Sequence, residues 1–152
     1  LSADEAARNG LMARFDLAAL DNLEAEISLK HEADAVIATG RFTASLAQFC
    51  IATHDPVPAK LDEAIHIQFI AEPTSNGEVE LELAPEDCDT MFHDGQTIDL
   101  GEAVAQSMCL ALNPYPRSPE AEKILKAAGV KSEEDVAPVG ALAGLKDLLA
   151  KK

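Results

Sequence analysis

The sequence predicts an α+β fold, an antiparallel β-meander of about four to six strands with an N-terminal helix and C-terminal helices packed on it. Three observations predict it. Four successive runs alternate apolar and polar residues and are joined by short turn-like segments. The period then changes to helical over IDLGEAVAQSMCLAL. A capping pattern opens the chain ahead of the first strand. With 152 residues, 47% of them apolar, the chain is long enough for one domain with its own core and is no disordered acidic tail. The single domain, residues 1–152, divides into a helical segment (1–20), the meander (21–84), an acidic loop (85–98) and a helical region (99–152). A small closed barrel is one form the meander can take.

Residues 2–15, SADEAARNGLMARF, read as a helix, with Ser2 as cap and Glu5 completing a capping box. Leu11, Met12 and Phe15 give it an apolar patch. In NLEAEISLK, Leu23, Ala25, Ile27 and Leu29 point one way and Glu24, Glu26, Ser28 and Lys30 the other. HEAD is a turn. Val36, Ala38, Phe42, Ala44 and Leu46 then share a face opposed by Thr39, Arg41, Thr43 and Ser45. Gly40 within that run signals a bulge or bend. A third run, AIHIQFIA, turns Ile65, Ile67 and Phe69 inward and leaves His66 solvated. Asn76-Gly77 marks a turn before a fourth run, EVELEL.

Residues 85–96, PEDCDTMFHDGQ, have acids and turn residues but no period, and read as a loop. In the helix that follows, Leu100, Val104, Met108 and Ala111 form one face, with Ala103 and Ser107 beside them. Asp99 is its N-cap and Glu102 stands three residues on. NPYPRSP stops it, because each proline steers its predecessor out of the helical region. Residues 120–128 form a short helix ended by Gly129. GALAGLKDLLAKK, residues 140–152, is a weakly amphipathic helix.

Charge narrows the function. Lys and Arg number 12 against 27 acidic residues, a net charge of −15. That opposes binding to naked nucleic acid, where Lys and Arg must neutralise phosphates. It fits a basic partner, or simple solubility. Arg41, Lys30 and Arg117 are too scattered for a basic stripe. One Tyr and five Phe supply no evident platform for bases. DNA is not an expected partner. Three spaced cysteines, Cys50, Cys88 and Cys109, make no disulfide framework and point to a reducing, cytoplasmic setting. No apolar run approaches the roughly 20 residues that span a bilayer, and no secretory signal is visible, so no membrane association is expected. The chain begins at Leu1 rather than Met, which leaves room for a leading segment carrying targeting information.

QFCIATHDPVP, residues 48–58, raises the question of chemistry. Cys50, His54 and Asp55 suggest a nucleophile with its base, or half of a metal site. They also fit a buried cysteine at a strand end beside a turn, which is the favoured reading. Cys88, His93, Glu86, Asp87, Asp89 and Asp94 could attract a divalent cation, but the spacing is not that of a calcium loop. A solvated acidic loop is favoured there. Tyr115, held among prolines, is either a contact residue or a closure of the core, with closure favoured. Nucleotide-binding glycine loops, G-x-S-x-G and H-E-x-x-H are all absent.

Three blocks together carry a resemblance: residues 23–63, residues 96–117 (QTIDLGEAVAQSMCLALNPYPR) and GALAGLKDLL. The chain resembles the YceD family, which acts in accumulation of bacterial large-subunit ribosomal RNA and whose plastid relatives are linked to processing of that RNA. The most specific block is IDLGEAVAQSMCLALNPYP. The end resembles the family's A-x-L-x-x-L-K, shifted slightly onto Ala141, Leu142, Leu145 and Lys146. Many relatives carry C-x-x-C at the strand end and Cys or His after the proline stop, which together look like a zinc site. Here the positions are Cys50 and Thr53, then Arg117, Ser118, Pro119 and Glu120. The resemblance therefore implies no structural zinc and no cofactor in this chain, with residues 48–58 a strand, a turn and a strand and Cys50 packed inside.

The expected function is a non-enzymatic ribosome-biogenesis factor for 23S ribosomal RNA. It would contact a basic ribosomal protein or assembly factor, with ribosomal RNA nearby or reached indirectly. Glu24, Glu26, Glu80 and Glu82 on the outward strand faces would form the acidic surface. They would otherwise only keep the sheet wet and guard its edges. Arg41, Cys50, Asp55, Asp99, Tyr115 and Arg117 are the other candidate interaction residues. The competing reading is a metal-dependent RNA-processing hydrolase built on the acidic loop. A third is a plain interaction module using the C-terminal helix.

Overall fold

The computed structural model describes residues 1–32, 35–71 and 89–130. Its elements are α1 (Glu5–Phe15), β1 (Leu17–Glu32), β2 (Ala35–Phe49), β3 (Pro56–Ala71), β4 (Thr90–His93), α2 (Leu100–Ala111) and α3 (Ala121–Ala127). The sheet order is β1-β2-β3-β4. β1, β2 and β3 run antiparallel, as the alternating runs require, and β4 lies parallel to β3. Among the described residues the sheet is open, with β1 and β4 at its edges, and does not close into a barrel.

Alternation places the core correctly. Leu23, Ala25, Ala38, Phe42, Ala44, Leu46, Ile65, Ile67 and Phe69 are buried, and α2 adds Ala103, Val104 and Met108 from above. His66 is exposed, as expected. Leu29, predicted inward, is 52% exposed. Its cross-strand partner Ala38 is buried between β1 and β3, whereas Leu29 lies on β1, an edge strand among the described residues with a neighbouring strand on one side only.

Several boundaries differ from the sequence reading, each for a physical reason. Asp4, not Ser2, caps α1, its carboxylate accepting the Ala7 N–H at 2.8 Å. Ser2 instead bridges to Glu24, because the first residues run along β1: Ala3 N–H donates to Leu23 O and Ala25 N–H to Leu1 O, both at 2.9 Å. β1 begins at Leu17, within the segment assigned to the helix. Its register shifts between Leu17 and Ala19 and between Leu20 and Asn22, which breaks the period that would have revealed it. β3 begins at Pro56, ahead of the alternation at Ala64 and in line with the strand, turn and strand implied for residues 48–58. β4 pairs only with Gln68–Ala71, so the first half of β3 is a free edge among the described residues, where a proline lacking its N–H is tolerated. β4 itself falls inside the stretch read as a loop; four residues are too few to show a period.

Gly40 makes no bulge. β2 runs through it in register, opposite Ile27 and Ile65. A Cβ there would stand 2.0 Å from Glu26 O, so glycine allows the close approach of β1.

Asp99 caps α2 as predicted, accepting the Glu102 N–H at 2.9 Å. The Glu102 carboxylate takes both ends of the Arg14 guanidinium at 2.6 and 2.7 Å, tying α2 to α1. Arg14 and Gln106 together hold that carboxyl down to about 2, against the opposing push of partial burial. α3 ends at Gly129 in the left-handed region (φ 83°), where the Gly129 and Val130 amides return to Lys126 O and Leu125 O. The EVELEL run, Glu80, Glu82, Glu86, Asp87, Cys88 and the helix of residues 140–152 lie outside the described residues. No described helix is long and apolar enough to cross a membrane.

Candidate functional site

The turn after β2 and the proline stop after α2 meet in space. Cys50 follows the last residue of β2 and is 2% exposed. Its N–H donates to Asp55 O at 2.8 Å, and the His54 N–H returns to Cys50 O at 2.9 Å, closing a tight loop with His54 in the left-handed region (φ 62°). The stop docks on this loop. Ile51 N–H donates to Pro116 O at 3.0 Å, Ser118 N–H to Cys50 Sγ at 3.3 Å, and Gln48 Nε2 to Asn113 O at 2.9 Å. The Thr53 and Ser118 hydroxyls are 3.3 Å apart and hydrogen-bonded.

This geometry answers the question about Cys50 and His54. The imidazole lies flat on the Phe49 ring, centroids 4.2 Å apart, while the sulfur faces Ser118 and Thr53. No dyad is formed. Burial pushes the Cys50 thiol up. The Thr53 hydroxyl and the amides of Ser118, Ala52 and Thr53, all directed at the sulfur, outweigh it and bring the pKa down from 9.0 to about 6.

The unfolded chain then holds a proton that the folded chain has released between about pH 6 and 9. The stabilisation is complete above 9 and is lost as pH falls through 6. We expect the stability gap between the parent and Cys50→Ala, measured by urea unfolding, to shrink steadily from pH 9 to pH 6. A gap independent of pH would show that the sulfur is an uncharged thiol.

The donors do not fit zinc. Structural zinc takes four Cys or His ligands, and here one thiol meets two hydroxyls that bond each other. Among the described residues no three His, Cys, Asp or Glu side chains are grouped to hold a metal. Where a zinc site would lie, sulfur and hydroxyl hydrogen bonds join the same two segments.

The family model described as "Large ribosomal RNA subunit accumulation protein YceD" matches residues 38–149. The chain belongs to the YceD family. The match takes in most of β2, the Cys50 turn, β3, α2, the proline stop and α3, and so contains both halves of this junction. Comparison with curated proteins and with solved structures gives no match.

The other described candidate residues of this YceD protein fall in three places. Asp55, Tyr115 and Arg117 belong to the junction with Cys50. Tyr115 is 71% exposed, so it does not close the core; the neighbouring Pro116 is buried instead. Asp99 is occupied in capping α2. Glu24, Glu26 and Arg41 lie on the outward sheet face, where Glu26 pairs with Arg41 and Glu24 with Thr43 in register. Arg41 is bonded to Asp62, whose carboxylate raises the guanidinium pKa, while Lys30 is bonded to Glu32. The described part of that face is therefore mixed in sign, with Glu24, Glu26 and Lys60 standing beside the two ion pairs.

Sequence reasoning missed two exposed apolar residues. Ile51 is 54% exposed and Leu110 80%. A signal existed for Leu110: it follows Gln106 by four residues, on the helix side away from Val104 and Met108.

Proposed function

We propose that this YceD protein is a non-enzymatic, cytoplasmic factor for the large ribosomal subunit, and that it holds a basic ribosomal protein or assembly factor so that 23S ribosomal RNA accumulates. Family membership with a net charge of −15 carries this reading. A chain so acidic repels phosphate and attracts Lys- and Arg-rich protein surfaces. On the sheet face Arg41 is engaged by Asp62 and Lys30 by Glu32, and the exposed Lys60 by itself makes no basic stripe for RNA.

The hydrolase reading gains no support from the described loop. Asp94 accepts the Gln96 and Thr97 amides at 2.8 and 2.9 Å, and His93 Nδ1 accepts the Gly95 amide at 2.9 Å. These groups build a turn. Site-specific cleavage of precursor RNA with magnesium, lost in Asp89→Asn, would replace the present reading with that one.

The decisive experiment is affinity capture from the cell's own lysate with and without ribonuclease. A basic ribosomal protein should survive ribonuclease, and Glu24→Lys with Glu26→Lys should weaken its capture, most at low salt. Loss of every partner with the RNA would overturn the proposal.

A further inference from the structure

We propose that the apolar ridge centred on Leu110 docks a basic amphipathic segment of a partner protein. This rests on the reading that the partner is basic and adds a second, apolar surface on α2 that would anchor it, besides the outward sheet face.

Leu110 stands between two shallow depressions and lines both. Phe15, Phe49, Ile51, Pro114 and Pro116 line the first, about 460 Å³ in volume. The second, about 360 Å³, is the more polar of the two, with His66, Ser107 and two carboxylates around Phe42, Ile65 and Ala111. Leu110 is the most exposed large apolar side chain described, and Ile51 is more than half exposed. The ridge is preformed. The Gln48–Asn113, Ile51–Pro116 and Cys50–Ser118 bonds fix the stop against the turn, so a partner would not bear the cost of ordering them.

Charge selects the occupant. Asp16 borders the first depression, and Glu63 and Asp89 the second, whereas no Lys or Arg lines either. An apolar strip flanked by carboxylates complements a helix with leucine-like side chains on one face and Lys or Arg beside them. RNA would find the exposed ring of Tyr115 but no lining cation for its phosphates. A second copy would bring another net charge of −15 to the same place.

The test uses the full chain, isotope-labelled for NMR, and two synthetic peptides of equal length and charge. One places leucines at helical spacing among lysines; the other has serine for each leucine. The leucine peptide should bind at least tenfold tighter, as burial of one large apolar side chain implies. Its shift changes should concentrate at Ile51, Leu110, Ala111 and Asn113. Leu110→Ser should remove the preference without changing the circular dichroism, whereas Glu24→Lys with Glu26→Lys should leave the preference in place. Shifts confined to the outward sheet face, or a preference that survives Leu110→Ser, would overturn the proposal. So would a dimer in sedimentation that Leu110→Ser abolishes, or tighter peptide binding in Leu145→Ser, which would assign the ridge to a second copy or to the chain's own tail. The two proposals fail separately. Lysate capture that persists in Leu110→Ser removes the ridge and keeps the basic partner. A ridge that binds the leucine peptide while the lysate yields no basic protein does the reverse.

Discussion

Gly40→Ala should destabilise the protein by about 3 kcal/mol or more, the upper end of what overpacking costs, and Gly40→Val by more still. The added Cβ would lie 2.0 Å from Glu26 O and 2.9 Å from Ile27 Cα. Both atoms belong to the β1 backbone, so no side chain can swing aside, and the strand itself must move. β1 and β2 pair antiparallel from Leu17↔Gln48 to Glu32↔Ala35, and a local displacement at Gly40 strains pairs on both sides. Gly10 is the internal control. Nothing lies within 4 Å of a Cβ there, so Gly10→Ala should stabilise α1 by roughly 0.5–1 kcal/mol. Urea unfolding of the two variants should move in opposite directions. Gly40→Ala within about 0.5 kcal/mol of the parent would mean that β1 does not approach β2 so closely.

The same residue shows where sequence reasoning stops. Alternation fixes which side chains of β2 face inward, because the period depends only on the chain's own geometry. It carries no information about how near a neighbouring strand comes, so Gly40 was legible as unusual but not as a contact. β1 shows the complementary failure. Leu17 and Leu20 are buried, yet the register shifts around them erase the period, and a strand read from alternation begins several residues late. The α2 cap was legible because Asp99 acts within one turn. The junction was legible only in part. The sequence placed Cys50 at a strand end and a stop at Asn113, but the meeting of Ser118 with Cys50 is a contact across 68 positions that no local pattern encodes. Ile51 and Leu110 were missed because a search for buried faces and reactive groups passes over apolar residues that the fold leaves outside.

Two residues apart on α2, Met108 and Leu110 should respond in opposite ways to the same truncation. Met108 is 0% exposed and belongs to the cluster that joins α2 to β2 and β3. Met108→Ala removes buried methylenes and leaves a void above Phe42 and its neighbours, which should cost about 2–5 kcal/mol. For a chain of this size that is a fall in Tm of roughly 4–20 °C. Leu110→Ala exchanges one exposed apolar surface for a smaller one and should stay within about 0.5 kcal/mol of the parent. Alanine's high helix propensity offsets part of any loss. Thermal unfolding of the pair therefore separates what α2 does for the fold from what it presents outward. A large loss in Leu110→Ala would show that the ridge is covered in the folded chain, and a surface already covered has no room for a partner. A small loss in Met108→Ala would mean that α2 sits loosely on the sheet, which would deprive Leu110 of the rigid platform that docking requires.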